Sequence, residues 1–417
     1  MCSRFAGFLV LVFLQSLSSQ EIDSYDYWNL DAPEHSYWTR DLHDPFTAIK
    51  DELESGRLPL DFSSEKAFVT SLLQHLRIPV SSQTLVFSTT SLQLSLISPR
   101  SPRALYFNEE IYVGYVPGGK IEIISMDPEL GGIFYIFDIP KRGRTIEIQR
   151  SQRCMNCHSD EDTRDSPGLV IKSVIPGQRG GSLDSYRRHE TGHQIPFHER
   201  FGGWYVTGGE NLGSHHGNVI GNFSKEGIVT RPVEPGHTFD WSIFPVQTSD
   251  ALAHLLHEHQ AGFVNRVLET HYLARGWLKQ GNGQMLSRHE TDLDAQVDLL
   301  VRYLLYADEA EFPAGEISGD AQFKTEFRAN RLTSSDGKSL KDFDLKNRMF
   351  RFRCSYMIYS PVFRKLPPMV KDAVYQKMEK ILSAGRESDK TFAYLPHDER
   401  KSIREILRQT HPDLSHW

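Results

Sequence analysis

The chain is 417 residues long, 39% hydrophobic and 24% charged, with a formal charge of −7 at neutral pH. That composition excludes a disordered chain and leaves room for two or three packed domains. The mild acidic excess gives no reason to expect nucleic acid or an anionic membrane as a partner.

The N-terminal stretch "MCSRFAGFLVLVFLQSLSSQ" carries Arg4, an apolar run from Phe5 to Leu14, and small residues at Ser16 and Ser18. This is the pattern of a secretory leader over residues 1–18, with cleavage leaving a periplasmic or otherwise secreted chain. The run is too short to span a bilayer, and no later segment offers a long uninterrupted apolar stretch, so no transmembrane segment is expected in the mature chain. Cys2 lies ahead of the apolar run, where a lipid anchor cannot sit. The alternative, a buried N-terminal helix, sits poorly beside the polar "SYDYWNLDAPEHSYW" that follows.

Residues 40–150 read as two helices followed by an antiparallel sheet. "DPFTAIKDELESG" and "SEKAFVTSLLQHLRI" have helical periodicity, the second capped by Ser63 or Ser64 and closed by Pro79. From Val80 to Ile148 the texture changes to short β-rich runs, "TLVFS", "ALYFN", "IYVGYV", "KIEIIS" and "GIFYIFDI", separated by Pro and Gly turns. Residues 151–247 form a loop-rich segment, of which 159–247 is rich in Gly, His and Pro and reads as mostly loops, and loops that long are usually functional. From 248 to 417 the chain reads as mainly helical. Leu252, Leu255, Leu256, Phe263 and Val267 form one stripe, and further helices are expected over 291–307, 367–383 and 397–409. The fold class is α+β: a β-rich N-terminal half, a loop-rich middle segment and a mostly helical C-terminal half.

Of the four cysteines, Cys154, Cys157 and Cys354 remain after the leader is removed, too few for a disulfide framework. Cys154, Cys157 and His158 form a C-x-x-C-H sequence, the spacing of c-type haem attachment. Two thiols must add to neighbouring vinyl groups on one porphyrin edge, so a short turn has to present both sulfurs together. The next residue then places its imidazole under the iron as proximal ligand. One covalent haem c is therefore expected, on Cys154 and Cys157 with His158 on the metal, and a redox protein as partner. A thioredoxin-like dithiol would need an amphipathic helix after the motif, where the chain is polar up to Pro167. A zinc site would have to recruit the distant Cys354 and a histidine.

The segments "SSQTLVFSTTSLQ", "PRALYFNEEIYVGYV", "RCMNCH", "FGGWYVTG", "HHGN" and "RCSYMIYSPVFRKLPP" together resemble a family of large exported bacterial proteins that contain a cytochrome c domain and have no assigned reaction. The resemblance runs from about residue 40 to the C-terminus. It implies haem binding, electron transfer and export, and carries onto Cys154, Cys157 and His158, where the signature is intact.

A minimal haem-binding domain needs only about a hundred residues, so most of this chain is either a docking body or a substrate pocket. The sixth iron ligand would decide between an electron carrier, the favoured reading, and a peroxidase-like or oxygenase-like haem enzyme. His215 in "GSHHGN" and His193 in "GHQIPF" lie in glycine-flanked loops able to approach a porphyrin face, and Met369 in "LPPMV" follows a Pro pair but also suits a first helical turn. His259 sits within an apolar helical stripe and reads as a core histidine. "HETGH", His189 to His193, matches a zinc-hydrolase signature, although Gly192 and Pro196 weaken the helix it needs. Trp204 and Tyr205 read as core aromatics, Cys354 as a small buried hydrophobe, and Arg187, Arg188 and Arg200 as solvated arginines that could alternatively pair with haem propionates.

Overall fold

Residues 25–140, 145–186, 191–383 and 390–417 are described by a computed structural model of the chain. The expected leader, residues 1–18, lies outside them, as do Arg187, Arg188, His189 and Glu190. Two helices come first, α1 (Thr47–Glu54) and α2 (Glu65–His75). The Ser64 side chain caps α2 by accepting from the Ala67 N–H, and Phe68, Val69, Leu72 and Leu73 turn inward at helical spacing.

A meander follows: β1 (Thr84–Val86), β2 (Arg103–Phe107), β3 (Ile111–Tyr115), β4 (Lys120–Asp127), β5 (Gly131–Asp138) and the two-residue β6 (Gln149–Arg150). Residues 145–148, just ahead of β6, are not in a strand. The middle segment contributes α3 (Met155–His158), β7 (Ser173–Pro176), β8 (Ser182–Tyr186), β9 (Trp204–Tyr205), β10 (Val219–Ser224) and β11 (Gly227–Pro232). The helical half holds α4 (Ala251–Gln280), α5 (Glu290–Leu304), α6 (Ala321–Phe327), α7 (Pro361–Arg364), α8 (Pro368–Ser383) and α9 (His397–Thr410). The molecule is thus α+β, with strands in the N-terminal half and helices dominating the C-terminal half.

The main sheet is antiparallel, in the order β6-β5-β4-β3-β2-β1-β9. Strand periodicity of two gives it two different faces. Ala104, Tyr106, Val113, Ile121, Ile123, Tyr135 and Phe137 share a core with Phe46, Phe68 and Leu72, on the side of α1 and α2. Phe107, Tyr112 and Met126 belong to a second core built on α4 and the later helices. The sheet is therefore the middle layer.

Residues 159–247 are mostly loop among the described residues, interrupted by short strands that were not anticipated: β7 pairs with β8, β10 with β11, and β9 closes the sheet beside β1. The second strand of each hairpin, β8 and β11, is largely exposed, so apolar alternation did not mark it. The short helices α6 and α7 were also not anticipated. Among the described residues no helix is long and apolar enough to cross a membrane.

Candidate functional site

At the free edge of β5, β6 pairs Arg150 with Tyr135, and the Ser151 N–H donates 2.8 Å to the Phe134 carbonyl. The chain then turns into the single turn of α3, with Cys154 at its N-cap and the His158 N–H bonded 3.0 Å to the Cys154 carbonyl. Residues three apart on a helical turn share a face, so Cys154 and Cys157 point the same way. Cys154 is half-buried, Cys157 is exposed, and both are free thiols. Burial pushes the Cys154 thiol up, only partly offset by a hydrogen bond from Ser151. A dithiol oxidoreductase needs the opposite shift at its attacking sulfur.

His158 Nδ1 lies 2.9 Å from the Gly168 carbonyl oxygen. A carbonyl can only accept, so Nδ1 carries the proton and the lone pair sits on Nε2. Burial holds this imidazole down to about pKa 4, against the upward pull of the Gly168 bond, so it is neutral at ordinary pH. The ring is tilted against Phe134 at 4.8 Å.

The acceptor is itself fixed. The Gly168 N–H returns 2.9 Å to the His158 carbonyl. The Asn265 side chain on α4 accepts from the Leu169 N–H and donates to the Leu169 carbonyl, each at 2.8 Å. The Gly132 N–H donates 2.7 Å to the Pro167 carbonyl, an approach possible because Gly131, at φ +85°, has no Cβ to strike that oxygen.

Phe134 and Ile136 project to the same side of the sheet, and so do Leu105, Gly114 and Glu122, which stand in one cross-strand rung with Ile136. Leu105, Ile124 and Ile136 are only half-buried there, while Gly114, in the middle of the rung, is buried beneath the Glu122 and Leu105 side chains, which close to 3.3–3.4 Å of where a Cβ would sit. Arg103 pairs with Glu122 at 2.7 Å, and both lie within electrostatic range of Cys154 and His158. Glu122 also accepts from Ser91 and Gln93. These two residues open a connection that holds Leu92, Leu94 and Leu96 at 41%, 55% and 40% exposure. A shelf of mixed apolar character thus lies before the motif, edged by exposed leucines.

The other candidate ligands are engaged elsewhere. His193, 1% exposed, sits on a 3-10 turn over Gly192–Gln194, between the rings of Tyr303 and Tyr306 at 4.2 and 4.3 Å. Its Nδ1 meets His259 Nδ1 at 2.8 Å, while its buried Nε2 has no partner among the described residues. His259 Nε2 contacts the Ser355 hydroxyl at 2.8 Å and the Tyr306 hydroxyl at 3.1 Å, as befits a core histidine. His215 Nδ1 accepts from the Gly217 N–H at 3.0 Å, and its ring meets Phe201 edge-on. Met369 lies in the first turn of α8, half-buried against the helical core. Of the zinc-hydrolase signature, His193 is on a 3-10 turn and not an α-helix. Among the described residues no three His, Cys, Asp or Glu side chains converge to hold a metal.

Arg200, read as solvated, is 2% exposed and forms an ion pair with Glu258 of α4. Its Nε donates 2.7 Å to the Ile195 carbonyl and a terminal nitrogen 3.2 Å to that of His193. Trp204, Tyr205 and Cys354 are buried, and the Trp204 indole donates 2.8 Å to the Lys172 carbonyl. Sequence reasoning missed Gly168 and Asn265. A Pro-Gly pair ten residues after His158 hinted at the first, whereas nothing local marked the second. Comparison with protein-family models, curated proteins and solved structures finds no match for the chain.

Proposed function

We propose that this chain is an exported c-type cytochrome that holds one haem through thioethers at Cys154 and Cys157, with His158 Nε2 as proximal ligand, and that it carries electrons to or from a redox partner. The observation that carries the reading is the His158 Nδ1–H bond to Gly168. It fixes the tautomer in which Nε2 is free to ligate, and donation to a carbonyl raises the basicity of a ligating imidazole. The residues present fit the group in three further ways. Both thiols leave one face of a single turn, Leu105, Ile124 and Ile136 offer half-buried apolar surface on the sheet face beside it, and Leu92, Leu94 and Leu96 stand exposed nearby with no core to fill. When bound, the haem iron supplies one-electron exchange. The protein's part is to hold the imidazole neutral and oriented, to keep water from one porphyrin face, and to present the rest to a partner. Membership of the family that the motifs resemble belongs to the same proposal.

The test is expression with a cytochrome c maturation system, followed by denaturing mass analysis and visible spectra of both oxidation states. The reading requires the mass of one haem and a low-spin iron indifferent to carbon monoxide. A coloured protein that binds carbon monoxide would replace the carrier with a haem enzyme, and a colourless one would remove haem altogether.

A further inference from the structure

Where the turn between β2 and β3 meets the segments around Lys341 and Tyr356, the surface opens into a cavity of about 340 Å³. Its charged groups, Arg77 and Lys341 against Glu109 and Glu110, balance in number but only one pair is made. Lys341 is 7% exposed, and its ammonium donates to Glu109, to Asn330 Oδ1 at 2.5 Å and to the Phe327 carbonyl at 3.1 Å. An ammonium has three N–H bonds, so Lys341 is fully spent, and it neutralises Glu109.

Glu110 is left over. Its main chain is pinned, the N–H to Asn108 Oδ1 at 2.9 Å and the carbonyl to the Met126 N–H at 2.8 Å. Its carboxylate, in the cavity wall, makes no hydrogen bond or ion pair among the described residues. Arg77, exposed on the rim, makes no ion pair with it. Burial first and Glu109 second push this carboxyl above the usual range, and no cation offsets them. A half-buried carboxylate on a pinned main chain, with no cation paired to it, is costly unless something outside the chain supplies the charge.

We propose that the cavity binds a small organic cation, a primary ammonium on a short hydrocarbon body, with Glu110 as its counter-ion. A bare divalent ion fits poorly: hard cations take six to eight oxygen ligands, and only one carboxylate here is uncommitted. The volume holds roughly ten waters at about 30 Å³ each, enough for an amine of several carbons. Leu332, 46% exposed on the rim, with Leu340 and Met357 on the wall, supplies apolar surface for the stem. The inference does not depend on the haem reading.

Calorimetric titration of the full chain with n-butylammonium, n-butanol and butyrate tests it. The ammonium is to bind saturably and at least about tenfold more tightly than either neutral or anionic analogue, and Glu110→Gln is to remove that preference. Leu332→Ser is to weaken the ammonium a few-fold. Should Glu110→Gln fail to fold, the Glu110 carboxyl carbon resonance of the unsubstituted chain must shift on adding the ammonium and not on adding the alcohol. Equal binding of amine and alcohol, an unaffected Glu110→Gln, an unmoved resonance, or displacement of the amine by stoichiometric calcium overturns the proposal.

Discussion

Acidification below about pH 6.5 is expected to unfold this protein steeply, because it buries an unusual number of uncharged imidazoles. In His35, His158, His193, His254, His257, His259 and His271 desolvation is the leading cause of a lowered pKa, down to about 4 for His35 and His158 and about 3 for His254, His257, His259 and His271. The unfolded chain titrates these groups near 6.5, so below that pH it takes up protons that the native state refuses. Their contribution is present in full above 6.5 and is lost as pH falls toward the folded values. Asp250 and Glu309 oppose this: burial raises them to about 6 and about 7, so the native state holds protons there that the unfolded chain has released.

At about pH 5.5 the seven histidines account for roughly 0.9 proton each. Subtracting roughly 1.6 for the two carboxyls leaves about 5 protons and a slope of about 6 kcal/mol per pH unit. Against a total stability of about 5–15 kcal/mol, the fold is lost within about two pH units of 6.5. Urea midpoints of the haem-free chain, measured at closely spaced pH values, give the slope. A slope near 1.4 kcal/mol per unit, one proton's worth, would refute the reasoning.

Three further expectations concern named side chains. Asn265→Ala strands the buried N–H and carbonyl of Leu169, at about 1–3 kcal/mol each, and frees Gly168. Nitrogen NMR of His158 should then show mixed tautomers where the parent shows Nδ1–H alone, and an unchanged tautomer with unchanged stability would contradict the clamp. Gly114→Phe drives a phenyl group between the Glu122 and Leu105 side chains, which stand 3.3–3.4 Å from where its Cβ would sit, and pushes them out over the shelf before the motif. Haem content after maturation should collapse while apo-protein stability changes by about 1–3 kcal/mol, and full haem content would show that the shelf is not where the ring lies. Arg200→Met leaves Glu258 buried without its partner and should cost about 3–5 kcal/mol, largely recovered in the Arg200→Met/Glu258→Met double variant; a loss under about 1 kcal/mol would deny the pair that role.

Local signals carried well where one face of an element is buried. The serine cap at 63 or 64 and the apolar spacing of α2, and the β-rich runs between Pro and Gly turns along β2 to β5, placed those elements correctly. The hairpins over 173–186 and 219–232 escaped notice because β8 and β11 lie mostly in water and β7 is only four residues long, so their sequences show little contrast between faces. Helix α4 posed the opposite difficulty. Its stripe was legible, but the helix is enclosed on nearly every side, burying His254, His257, Glu258 and Gln260 outside any apolar period. Long-range partners account for the rest. Arg200 looks solvated until Glu258, fifty-eight positions on, is brought beside it, and the clamp on Gly168 reaches across ninety-six positions from Leu169 to Asn265. The C-x-x-C-H signature was legible because all its atoms lie within one helical turn.

The central claim is the covalent bond at that turn. Protein matured alongside a cytochrome c assembly system, unfolded and weighed, is to carry the mass of one haem, absent from the Cys154→Ser/Cys157→Ser variant, and its native visible spectrum is to lose low-spin character on replacing His158 with alanine. Thiols that remain free, pair with each other or retain zinc in such a preparation would contradict the account.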